Sequence, residues 1–177
     1  MTSDSKAMEY ASAINHHERA MHYHREASKH YEIGKDYAHA AHQALLAHGH
    51  ALQAIGHGNK ASDYYAERER GEPGENRVVT RFPPFPRFTV ESLEAGGTLQ
   101  TALGAAGDHV AASSSHEQAA KHLRQAARHD AEENTEMAAS ESQTAHRHAQ
   151  WAVFHGDEAA VHHSEHYGKS APSAEIV

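Results

Sequence analysis

The chain has 177 residues, 20 of them histidine, no cysteine, and a formal charge of -8 with the imidazoles neutral. That length can bury a sizeable core as one domain. The lack of cysteine excludes disulfides, thiolate metal sites and cysteine nucleophiles, and the acidic balance argues against nucleic acid as a partner, which needs a basic footprint.

The opening MTSDSKAMEYAS has neither the basic nor the apolar segment of a secretory signal. No stretch approaches the roughly 18 apolar residues of a membrane span. The expectation is a cytoplasmic protein with no membrane partner. Near pH 6 many exposed imidazoles protonate, so solubility should respond to pH.

Composition divides a single helical domain, 1–177, into a hairpin at 5–67, a connection at 68–107, a hairpin at 108–167 and a tail at 168–177. Both hairpins are rich in Ala, His and charged residues and lack proline. In the first helix, Ala13, Ala20 and Ala27 recur every seven residues, and the companion positions are Tyr10, His17, His24 and Tyr31. Helical periodicity therefore turns His17 and His24 inward and His16, His22 and His30 away. Gly34 suits the left-handed position that ends a helix, and Asp36 suits the next N-cap. In the second helix, Ala40, Ala41, Ala44, Leu45, Ala47, Ala51, Leu52 and Ile55 form one face, with His48 near its centre. His39, His42, His50 and His57 fall opposite. Gly58 is expected to break or kink this helix, as Gly156 is the fourth.

The connection carries RFPPFPRF at 81–88. A polyproline II segment has three residues per turn, so Phe82, Phe85 and Phe88 share one side. The expectation is a strip packed on the helices; Pro83-x-x-Pro86 also meets the minimal core of a docking motif. A connection this long permits a crossover, or a homodimer that exchanges hairpins.

The third helix starts at Ser114, whose Ser-x-x-Glu spacing to Glu117 resembles a capping box, or earlier at Asp108. Its seam holds Ala112, His116, Ala119, Leu123 and Ala126, and His109 joins them if the helix reaches back that far. Asn134 and Thr135 take the turn and cap parts. The fourth helix presents Ala145, His146, Ala149 and Val153. The hairpins look like copies: a shift of 99 places His17-Glu18 on His116-Glu117 and His30 on His129, and after a one-residue slip His48 meets His146. The fold expected is all-α, a four-helix bundle of two duplicated hairpins.

Five histidines are thus expected inside: His17, His24, His48, His116 and His146. His17 and His24, about 10.5 Å apart along the axis, do not share one ion easily. With both turns at one end, His24, His48 and His146 form a layer. With turns at opposite ends, His24, His48 and His116 do, leaving His17 with His146. Three neutral imidazoles and a further ligand suit Zn, Cu, Ni or Co. No Glu-x-x-His occurs, so a di-iron carboxylate site is not expected.

The leading expectation is therefore a metal buffer, store or sensor. The alternative is a structural or self-associating bundle with histidine as polar core, and the third is haem held between two facing histidines. Outside the core, His162 and His166, one turn apart, offer weak metal capture. No nucleophile–base constellation is visible, so an enzyme ranks last. The Ala-x₆-Ala seams with dense histidine resemble uncharacterised His/Ala-rich helical bundle proteins of bacteria. The resemblance covers the hairpins and implies a helical fold, with no activity or site attached.

Overall fold

A computed structural model of the chain describes residues 3–34, 36–69 and 99–168; the Phe/Pro strip at 81–88 lies outside them. Four helices follow in order: α1 Ser3–Ile33, α2 Tyr37–Glu69, α3 Leu99–Ala131 and α4 Thr135–Gly168. They pack as an all-α four-helix bundle. Within each hairpin the helices pack closely, and α1 also packs closely along α3, whereas α2 and α4 meet more sparsely. None of the helices, among the described residues, is long and apolar enough to cross a membrane.

The alanine seams set the packing. Buried positions alternate by four and three along every helix: Lys6, Tyr10, Ala13, His17, Ala20, His24, Ala27 and Tyr31 on α1, and His109, Ala112, His116, Ala119, Leu123 and Ala126 on α3. The other two helices repeat the spacing with small residues, Ala47, Ala51, Ala54 and Ala61 on α2 and Ala138, Ser142, Ala145, Ala149, Ala152 and Ala159 on α4. This is the pattern of a bundle whose side chains sit as knobs in facing holes. The labour is divided: α1 and α3 supply the large rings, and α2 and α4 supply the small-residue faces that receive them.

Two turns set the topology. Gly34 adopts φ +67°, as its place after α1 requires, and Asp36 caps α2 by accepting a hydrogen bond from the His39 amide at 3.2 Å. In the second turn the expected parts move back by one residue. Glu133 takes the left-handed conformation at φ 61°, and Asn134 caps α4 through the Met137 amide. The Asn134 amide reaches the His129 carbonyl at 2.8 Å and the Glu133 amide reaches that of Asp130 at 3.1 Å, so the end of α3 is a Schellman motif. Contacts of His17 with His116 and of His24 with His109 run α1 antiparallel to α3, which places the turns at opposite ends.

Two helix expectations are corrected. α3 begins at Leu99, so Ser114 is interior to it and His109 lies on the buried face. Gly58 and Gly156 break nothing: α2 and α4 run through them. At Gly156 the reason is packing, because a Cβ there would lie 3.3 Å from Cε1 of His24. The missing side chain makes the hole that the His24 ring fills.

Candidate functional site

Four imidazoles form one column on the α1–α3 seam. His17, His24, His109 and His116 are each 2% exposed or less. Because α1 and α3 are antiparallel, each ring meets one across the seam. Nδ1 of His17 lies 3.0 Å from Nδ1 of His116, and Nδ1 of His24 lies 3.1 Å from Nδ1 of His109. The two pairs touch through His24 and His116, stacked at 5.5 Å between ring centroids. Tyr31 extends the column by stacking on His109, and its hydroxyl bonds Nδ1 of His163 on α4. Toward the other end the Tyr10 hydroxyl meets Ser142 Oγ at 3.0 Å, beside Leu123. Lys6 forms an ion pair with Asp130 there, from a nearly buried side chain.

Burial decides the charge state of the column. Desolvation first, then the neighbouring imidazoles, pushes His24 down to about 3, His17 and His109 down to about 4, and His116 well below the usual range. All four are neutral at physiological pH. In each pair one Nδ1 carries a proton and the other accepts it. Nε2 of His109 and of His116 is buried with no hydrogen-bonding partner in the protein. An unanswered N–H is the more expensive orphan, so the proton belongs on Nδ1 of these two rings, leaving bare Nε2 lone pairs inside the bundle.

The structure gathers three of the five expected core histidines, His17, His24 and His116, and adds His109. It leaves His48 and His146 half-buried on the flanks. His48 has 41% of its side chain exposed, with Nδ1 3.8 Å from Asp157. His146 meets the Gln150 side chain at 3.0 Å. Their immediate neighbours Ala47 and Ala145 occupy the seam instead. Leu45 and Leu52, which pulled the expected α2 face toward His48, are 68% and 53% exposed. The predicted sets of His24, His48 and His116 and of His17 with His146 therefore do not assemble.

A second population of histidines lies between the helices of each hairpin. His57 Nδ1 donates to Glu9 at 2.6 Å across α1–α2, and His122 Nδ1 donates to Glu141 at 2.6 Å across α3–α4. Asp108 accepts from His162 at 2.9 Å, with His155 at 3.7 Å on its other oxygen. His16 and His50 meet Nδ1 to Nδ1 at 2.9 Å. Periodicity had sent His16, His50 and His57 to the solvent side; they are half-buried. Their carboxylate and ring partners come from other helices, so no single-helix pattern reveals them. The signal available in the sequence is the paired recurrence of Glu9 with His57 and Asp108 with His155 at the repeat shift.

Among the described residues, no group of three or more His, Cys, Asp or Glu is already gathered around a point that could hold a metal ion. The side chain of His166 is outside the description, so its pairing with His162 is too. Comparison with models of known protein families, with curated proteins and with solved structures finds no match for this chain.

Proposed function

We propose that the chain binds a first-row transition metal in the α1–α3 seam, as a buffer, store or sensor. One observation supports this reading above the others: neutral imidazole nitrogens face each other in pairs at 3.0 and 3.1 Å inside the bundle. Two nitrogens at ~2.05 Å from one tetrahedral ion stand about 3.3 Å apart, so each pair needs to open by only a few tenths of an ångström. The proton between them moves to the far nitrogen of the donor ring, His109 or His116, where it finds no acceptor in the protein, a cost that the new metal–nitrogen bond has to exceed. A third donor comes from the neighbouring pair, since the His24 and His116 rings already touch. No carboxylate balances the ion in the column, which favours the metal with the highest intrinsic affinity for nitrogen, Cu²⁺ before Ni²⁺, Zn²⁺ and Co²⁺.

A second reading has its own support. Each ring already holds another ring, which satisfies a buried polar atom without any ion. On that reading the bundle is structural or self-associating, and the imidazoles serve as polar core. Haem suits the column poorly, because rings in direct contact leave no slot for a macrocycle between two axial nitrogens.

Calorimetric titration of metal-free protein at pH 7.5 with Cu²⁺, Ni²⁺, Zn²⁺ and Co²⁺ separates the readings. The metal reading expects an equivalent bound with a Kd tighter than about 10 μM, and one equivalent fewer bound by the H24L/H116L chain. Leucine is the chosen replacement because Leu123 already fills a seam position on α3. Binding no tighter than that limit, or equal binding by the variant, rejects it. An unchanged melting temperature with and without metal supports the structural reading.

A further inference from the structure

The α1–α2 interface carries a second imidazole cluster, separate from the column and open to solvent at its edge. The His16 ring stands between two rings of α2, with centroids 5.1 Å from His50 and 5.5 Å from His57. Nδ1 of His16 meets Nδ1 of His50 at 2.9 Å, and Tyr23 stacks flat on the other side of His50, at 3° between planes. His57 is fixed by Glu9, whose carboxylate accepts its Nδ1–H at 2.6 Å. That bond sets the tautomer: Nε2 of His57 carries the lone pair. A carboxylate–imidazole pair of this kind backs most metal-ligating histidines. Arg19, whose charge acts on His16 and His50, donates to Asn15 on its own helix.

We propose that His16, His50 and His57 form a metal-capture site for Cu²⁺ or Ni²⁺, with Glu9 as the positioning residue behind His57. The three donors do not converge in the present rotamers. The rings are half-buried at the surface, so small side-chain rotations bring them together without opening the bundle. The other hairpin differs at the central position. A shift of 99 puts Ser115 where His16 stands, while after the one-residue slip His148 and His155 fall where His50 and His57 do, so the ring that joins His50 to His57 has no counterpart there. His122, which stacks on His148, falls on Tyr23 instead. The site stands independently of the reading of the core.

The test uses the full chain at pH 7.5, titrated with CuCl₂ and NiCl₂ and followed by calorimetry and by the nitrogen hyperfine pattern of bound Cu²⁺. Loss of one equivalent in H16N/H50N/H57N, its retention in both H122N/H148N and H24L/H116L, and a Kd raised roughly 10-fold or more by E9Q are expected. E9Q leaves the rings in place, so it reports even if the triple variant fails to fold. An unchanged Kd in E9Q, an unchanged number of equivalents in a folded triple variant, or no equivalent left in H24L/H116L overturns the proposal.

Discussion

The α1–α3 seam and the two hairpin interfaces use the same side chain in opposite ways. On the seam, His17, His24, His109 and His116 pair with one another and are held neutral by burial. In the hairpins, His57, His122 and His162 instead meet the carboxylates of Glu9, Glu141 and Asp108. The contrast teaches that histidine content alone says little about charge. What packs against each ring decides whether it sits among other rings or beside a carboxylate.

Acid breaks this comparison most strongly. The four seam histidines have folded-state values below the unfolded value of about 6.5, so their contribution to stability is complete above that pH. It is lost as pH falls toward 4 and then 3, because the unfolded chain binds the protons that the folded chain refuses. Each group costs about 1.4 kcal/mol per pH unit once its unfolded form is fully protonated. Four together approach about 5 kcal/mol per unit, enough to exhaust an ordinary domain within two units. Urea unfolding measured from pH 7.5 to 4.5 should show a steep decline beginning below pH 6.5. A flat profile would mean that the rings are not buried as neutral groups.

A single seam change comes next. H24L leaves Nδ1 of His109 buried without its partner and should cost about 1–3 kcal/mol. Replacing both partners, as H24L/H109L, should recover much of that loss. A double variant no better than the sum of the singles would show that the pair is not coupled.

Glycine substitutions sharpen the account of how rings meet small residues. Alanine gains up to about 1 kcal/mol over glycine within a helix. G58A, where nothing lies within 4 Å of the new Cβ, should show that gain as a higher melting temperature. G156A meets His24 at 3.3 Å and should show less of it, or a loss. Equal shifts at the two sites would remove the packing argument. The smallest effect belongs to the hairpins: E141Q weakens one partly exposed contact and should change stability at pH 7.5 by less than about 1 kcal/mol.

Much of the fold was legible because alanine spacing is a strong signal. Ala13, Ala20 and Ala27 fixed the phase of α1, and with it His17 and His24; Ala112, Ala119 and Ala126 did the same for His116 on α3. On α2 the signal was mixed. Leu45 and Leu52 drew the apolar face about one residue off the seam, although a small-residue face that receives rings has no need of leucine there. His48 was misplaced by that single step, and His146, matched to it across the copies, followed. His109 depended on where α3 begins, which capping patterns placed too late. The carboxylate partners are made between helices, at a register that the packed bundle defines, so the sequence hints at them only through the recurrence of Glu9 with His57 and Asp108 with His155.

The central claim is that the four seam imidazoles are neutral, paired and open to a metal. Nitrogen-15 NMR of histidine-labelled, metal-free protein at pH 7.5, before and after addition of one equivalent of Zn²⁺, reads all three properties ring by ring. The account predicts four neutral rings with hydrogen-bonded Nδ1 signals, of which at least two move to metal-bound positions. Protonated seam rings, or seam signals that stay put while only the outer histidines shift, would contradict it.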